Sequence, residues 1–139
     1  MASSFVTAEE AVKLIENGDH VYIQGSTSIP EVLVEALANR ADELRDITVY
    51  SAFAVARRPS PLCKPEYKDI FHIDSFFVSN AFREWIAQGY GTMTPRFLGE
   101  VPELFRDGTC RVDRARQTGG QDMDKGDQTS RCSRDILFV

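Results

Sequence analysis

With 139 residues, 42% hydrophobic content and a formal net charge of −5, the chain is of single-domain size and carries enough apolar material for one core. The acidic balance excludes a phosphate-backbone binder, which needs clustered Lys and Arg, and no stretch approaches the roughly 20 apolar residues of a membrane span. Neither nucleic acid nor a membrane is therefore expected as a partner.

The opening MASSFVTAEE lacks the basic-then-apolar layout of a secretion signal. Thr7 and Glu10 fit a capping box; Ala8, Ala11, Val12 and Ile15 recur at helical spacing, and Gly18 supplies a stop. His20 to Ile23 reads as the first strand. It runs into Gly25-Ser26-Thr27-Ser28, and a second helix follows from Glu31 to about Leu44, with Leu33, Ala36, Leu37, Ala41 and Leu44 on one face. Ser28 and Glu31 fit a second capping box, and Pro30 is expected in the first helical turn, where its missing N–H costs nothing. Strand, small-residue loop and helix N-terminus is the arrangement that holds anionic ligands in open α/β sheets. Gly25 would let a ligand approach the backbone, and Ser26, Thr27 and Ser28 supply hydroxyls. Many α/β crossovers share these features with nothing bound, so the local pattern leaves a ligand loop and a plain crossover both open.

Ile47 to Val55, ITVYSAFAV, is nearly continuous in apolar content, as a strand covered on both faces would be. A proline-bearing loop through Pro59, Pro61 and Pro65 follows. Ile73 to Ser79 reads as a third strand, Ala81 to Gln88 as a third helix closed by Gly89, and Thr92 to Leu98 as a fourth strand with Pro95 marking an edge or bulge. Val101, Leu104 and Phe105 give a short helix before Gly108. Strands separated by helices imply parallel pairing and right-handed crossovers. The fold class expected is three-layer α/β with a mostly parallel sheet. Phe76 and Phe77 are expected in the core.

After Gly108 the pattern stops. Arg111, Arg114 and Arg116 fall among Asp113, Gln117 and Gly119-Gly120, and until the closing ILFV neither period is present. We expect one α/β domain over 1–108 and an aberrant or poorly ordered tail over 109–139. The acidic run Asp122 to Asp127 fails as a calcium loop, because Asp127 stands where glycine belongs and Ser133 where glutamate belongs. Cys63, Cys110 and Cys132 are an odd, widely spaced set that fits reduced thiols and a cytoplasmic location. His20 and His72 are far apart and no Cys-x-x-Cys exists, so no metal is expected.

Three ordered blocks carry a wider likeness: TAEEAVKLIENGDHVYIQGSTSIPEVLVEALANRADEL, PEYKDIFHIDSFFVSNAFREWIAQG and TPRFLGEVPELFRDG. Over residues 5–108 the chain resembles the N-terminal part of the acetyl-CoA hydrolase/transferase family, which includes 4-hydroxybutyrate and succinyl-CoA:acetate CoA-transferases. The resemblance implies a two-domain α/β enzyme that exchanges CoA between carboxylates through a glutamyl-CoA thioester, with acyl-CoA and a carboxylate as small-molecule partners and no separate cofactor. It maps the family's first glycine-rich loop onto Gly25, Ser26 and Pro30, and the family's Asn and Arg after the third strand onto Asn80 and Arg83. These five are the candidate substrate-binding residues. Asn80 serves equally as an N-cap, and Arg83 equally as a surface residue.

The family's catalytic glutamate and CoA-binding glycine loop lie in a later part that these 139 residues do not contain, so no catalytic residue is assigned. Glu84 and Glu100 are the carboxylates nearest the expected cleft, and neither matches the nucleophile. Where the family continues into an apolar strand, this chain has Val112-Asp113-Arg114-Ala115-Arg116-Gln117, as a shifted reading frame near residue 109 would produce. The chain is expected to be inactive alone, with a homo-oligomer or a missing second half as its assembly. A non-catalytic α/β product or partner-binding subunit is the competing class. A sugar-phosphate isomerase-like domain is a more distant analogy, at the level of fold only.

Overall fold

The structure, a computed structural model, describes residues 6–26, 28–55 and 59–107, together with the backbone of 136–138. Thr7 opens the first helix, α1 (Ala8–Val12). Its Oγ1 accepts from the Glu10 amide at 3.2 Å while Glu10 Oε2 accepts from the Thr7 amide at 3.1 Å, the reciprocal pair expected from the sequence. The chain turns at Gly18, whose φ of 82° suits a residue without a Cβ, and enters β1 (His20–Ile23).

The strands that follow are β2 (Ile47–Ser51), β3 (Phe71–Ser75), β4 (Gly91–Met93) and β5 (Ile136–Phe138). They form one sheet in the order β4-β3-β2-β1-β5, and every pairing is parallel. The register aligns Tyr22 with Tyr50, and Tyr50 with Asp74. The α/β class and the parallel pairing expected from the sequence are both present. The expected tail contributes its closing residues, Ile136–Phe138, to the sheet beside β1. The boundary at 108, residues 109–135 with their arginines and acidic run, and Cys110 and Cys132 lie outside the described residues.

Alternation along the strands sorts the core into two clusters. One face carries Val21, Ile23, Val49 and Ile73, packed with Val12 of α1, Leu37 of α2 (Glu31–Ala38) and Trp85 of α3 (Arg83–Ala87). On the other face Tyr50 and Phe76 pack with Val101 and Leu104 of α4 (Val101–Arg106), and the Tyr22 and Phe105 rings meet edge-to-face at 5.4 Å. The second helical layer is therefore thin, formed among the described residues by α4 and the short 3-10 helix Leu98–Glu100 that leads into it.

Element ends differ from the sequence expectation for identifiable reasons. Helix α2 stops at Ala38 rather than near Leu44, and the next residues form turns. There Arg40 sends its guanidinium back to the carbonyls of Val12 and Ile15, tying this turn to the end of α1. Ala41 and Leu44 stay buried without helical backbone. Strand β2 ends at Ser51, not Val55. Strand β3 runs 71–75, not 73–79, because the chain turns where Ser75 Oγ donates to the Phe77 carbonyl at 2.9 Å. Strand β4 ends at Met93, not Leu98: Thr94 still donates to the Ser75 carbonyl at 3.1 Å, but Pro95 has no N–H to continue the ladder. Phe76 is core as expected. Phe77, lying in this turn, is 59% exposed instead.

Candidate functional site

In a parallel sheet the carboxyl ends of the strands form the crevice where ligands bind, and the segments leaving β1 and β3 carry all five candidate residues. Gly25 is buried. A Cβ on it would stand 2.5 Å from the Phe53 carbonyl oxygen and 2.9 Å from the Phe53 nitrogen. The glycine therefore lets the chain past β1 lie against the chain past β2. Ser26 follows at φ 59°, donates its amide to the Phe53 carbonyl and makes an isolated parallel bridge with Ala54. That amide is committed to the fold, while the residue itself is exposed. Thr27 lies outside the described residues.

The second capping box does not form. Helix α2 begins at Glu31, so Glu31 occupies its first position rather than its third, and Pro30 is the N-cap, with no side-chain acceptor. The Ser28 amide donates to the Gly25 carbonyl at 3.4 Å and the Glu31 amide to the Ile29 carbonyl at 2.9 Å, so the loop closes on its own backbone. The Val32 and Leu33 amides, in the first turn, have no acceptor within the helix. Ser26 and Pro30 line one open recess of about 430 Å³ with Val32 and Val55.

A second, narrow cleft of about 40 Å³ is walled by Ile29 from the first loop, Glu31 at the start of α2, and Ala81 and Phe82 from the segment after β3. Neither Asn80 nor Arg83 lines it; both are exposed. Asn80 is not the N-cap. Ser79 starts the turn, its carbonyl accepting from the amides of Phe82 at 3.3 Å and Arg83 at 3.0 Å, and Phe82 occupies the cap. The structure thus brings Ser26 and Pro30 to one recess and leaves Asn80 and Arg83 exposed outside it.

Glu84 is an exposed residue of the first turn of α3, a placement that the helix dipole favours. Glu100 has a local job: its Oε2 accepts from the Phe97 amide at 3.1 Å while its own amide donates to the Phe97 carbonyl at 2.8 Å. Burial pushes the Cys63 thiol up to about 12, which holds it near neutral pH as the thiol, the weaker nucleophile. Among the described residues no group of three or more His, Cys, Asp or Glu is placed to hold a metal ion, and no helix is long and apolar enough to cross a membrane.

A third recess went unforeseen in the sequence. It opens between the ends of β2 and β3 and the approach to α4, holds about 280 Å³, and is lined by Phe53, Phe77, Leu98 and Arg96 around a floor of Ala52, Phe76 and Val101.

The acetyl-CoA hydrolase/transferase N-terminal domain matches residues 2–117. The chain belongs to this family. It is 30% identical over 108 residues to the butyryl-CoA:acetate CoA-transferase of Anaerostipes caccae, covering 77% of this chain and 24% of that protein. It is 31% identical over 108 residues to the 4-hydroxybutyrate coenzyme A transferase of Clostridium kluyveri, covering 78% and 25%. The chain thus spans about a quarter of the length of these relatives. Among solved structures, RipA from Yersinia pestis superposes with a TM-score of 0.64 at 25% identity, over 77% of this chain and 27% of that one. The E. coli O157:H7 acyl-CoA transferase YdiF superposes with a TM-score of 0.58 at 17% identity, over 76% and 23%, and is a likeness of fold alone. The family match reaches residue 117, beyond residue 108, where the helix–strand pattern of the sequence stops.

Proposed function

We propose that the chain forms the substrate-side wall of an acyl-CoA:carboxylate CoA-transferase and does not catalyse transfer by itself. The observation that carries this reading is the family match over residues 2–117 in a chain spanning about a quarter of its relatives' length. In the whole enzyme, a glutamate carboxylate attacks the acyl-CoA carbonyl, and the resulting anhydride is opened by CoA thiolate to a glutamyl-CoA thioester. An incoming carboxylate then reverses the sequence. On this reading Ser26 and Pro30, with the head of α2, stand on one side of that chemistry and Asn80 and Arg83 at its rim; the recess that Ser26 and Pro30 share supports the first pair. Ser26 and Pro30 orient the carboxylate substrate by way of the first helical turn. Arg83, a cation standing in an acidic chain, balances its charge. No metal or separate redox group takes part, and the enzyme works in the cytoplasm.

Neither nearby carboxylate suits the nucleophile's task. Glu100 is hydrogen-bonded into its own turn, and Glu84 points from an exposed helix start. The test is to incubate the purified chain with acetyl-CoA and butanoate or 4-hydroxybutyrate and follow the exchanged thioester. We expect no turnover from the chain alone, and recovery when a fragment carrying the later part of a family member is added. Turnover by the chain alone that is lost in Glu84→Gln or Glu100→Gln would overturn the reading and place the nucleophile here.

A further inference from the structure

We propose that the aromatic surface at the ends of β2 and β3 is the contact face for a second copy of the chain, paired about a two-fold axis so that Phe97 of each copy enters the recess of the other. None of Ser26, Pro30, Asn80 and Arg83 lines this recess. The pairing therefore draws on no residue that the transferase reading gives to substrate, and it goes beyond that reading.

The area is what a dimer needs. Phe53, Phe77, Phe97 and Leu98 are 39%, 59%, 80% and 78% exposed. At the usual size of such side chains they present roughly 500 Å² of apolar surface, toward the upper end of the largest patch on an ordinary monomer, about 300–600 Å². One side of a standard interface measures about 800 Å², and roughly two-thirds of it is apolar in homodimers.

The shape is self-complementary. Ala52, Phe76 and Val101 are buried and floor a recess of about 280 Å³ with Phe53 and Phe77 on its wall. Those two rings meet edge-to-face at 5.0 Å between centroids, so each braces the other. Arg96 and Leu98 also line the recess, but Phe97 between them does not. Its backbone is held in place, the amide donating to Glu100 Oε2 at 3.1 Å and the carbonyl accepting from the Glu100 amide at 2.8 Å. A largely exposed ring on a fixed backbone, beside a hollow that it does not fill, is one half of an isologous contact. A two-fold rotation seats each ring in the other copy's hollow.

The charges fit the same symmetry. Arg96 lines the recess and is in none of the ion pairs found among the described residues. Glu100, exposed four residues later, uses Oε2 to close the turn at Phe97 and keeps Oε1 for a partner. A patch of one sign repels its own copy. One that carries both signs pairs crosswise, the cation of each copy against the carboxylate of the other.

The test is the mass of the intact 139-residue chain, followed by sedimentation equilibrium from micromolar to millimolar concentration. It should rise from 15.6 kDa to twice that value and stop there. The midpoint should fall at about 10–100 µM, as expected of an interface at the small end of the stable range. Phe97→Ser should raise the dissociation constant about tenfold or more and leave urea unfolding of the dilute monomer unchanged. Arg96→Glu and Glu100→Arg should each weaken pairing about tenfold alone. Mixed in equal amounts, the two variants should pair at close to the original strength, because both crosswise contacts then join opposite charges. A surface that is merely apolar gives no such rescue. A chain that stays monomeric at millimolar concentration, or a mass that climbs past two copies, would overturn the proposal. So would undiminished pairing in Phe97→Ser, or a mixture that pairs no better than its components. The transferase reading is decided separately, by thioester exchange after the later part of the enzyme is restored.

Discussion

Replacing Gly25 with alanine should destabilise the chain far more than an ordinary glycine substitution. The added Cβ would stand 2.5 Å, 2.9 Å and 3.0 Å from the carbonyl oxygen, nitrogen and carbonyl carbon of Phe53. All three are backbone atoms, so no side-chain rotation relieves the contact. Restoring normal separation means moving the two segments apart by roughly 1 Å. The Ser26–Phe53 hydrogen bond and the Ser26–Ala54 bridge sit at the same point and would be lost with it. At about 1 kcal/mol for each backbone bond, with overpacking strain added, the cost is about 3 kcal/mol, a sizeable part of a total stability of roughly 5–15 kcal/mol. Urea unfolding followed through Trp85, which is 4% exposed, measures it. Gly18→Ala is the control: its φ of 82° is unfavourable for alanine, but nothing lies within 4 Å of the new Cβ, so about 1 kcal/mol is expected. If Gly25→Ala cost no more than Gly18→Ala, the inter-strand explanation of this glycine would be wrong.

Two further outcomes follow from buried groups. Ser51 is fully buried and its Oγ has no hydrogen-bond partner among the described residues, so Ser51→Ala should leave stability unchanged or raise it by about 0.5–1 kcal/mol; a loss above about 1 kcal/mol in the same urea assay would show that the hydroxyl is satisfied. Burial raises the Cys63 thiol from 9.0 to about 12, so with Cys110 and Cys132 changed to Ser, iodoacetamide at pH 8 should label it slowly in the native chain and quickly in urea. The fold favours the neutral thiol, so its contribution is fully present below about pH 9 and is lost as pH rises toward 12, at up to about 1.4 kcal/mol per pH unit. An unfolding midpoint that is flat across that window in the Cys63-containing chain, or native labelling as fast as in urea, would contradict the burial of this thiol.

The order of elements was readable from residue pattern because periodicity and punctuation agree. Thr7 with Glu10, the turn at Gly18 and the alternation in β1 each point to one local structure, and each forms. Element ends were less readable because they depend on partners distant in sequence. The end of α2 is bound up with Arg40 reaching Val12 and Ile15, and the start of α3 is set by the Ser79 carbonyl. The apparent capping box at Ser28 and Glu31 had the right residue types at the right spacing. It failed because the loop satisfied its amides through its own carbonyls and the helix began three residues after Ser28.

The same limit governs the site. A glycine after a parallel strand has two physical causes, close approach of a ligand or close approach of another backbone, and a single sequence contains nothing that separates them. At Gly25 the structure supplies the second cause in full, through Phe53. The residues left to meet a ligand or a partner are then those the fold has not used: the exposed Ser26 and Pro30 recess, and Arg96 among exposed aromatics. Those aromatics were invisible as a group. Phe53 and Phe77 belong to different strand exits, and their pairing needs the β2–β3 register that aligns Ser51 with Ser75. Phe77 was expected to be buried because it was read as mid-strand. Once β3 ends at Ser75, Phe77 falls in the turn beyond the ladder and its ring swings to meet Phe53 at the sheet's carboxyl edge. The error of two residues at the start and four at the end of one strand thus hid this exposed aromatic pair, since it turned a rim residue into a core residue.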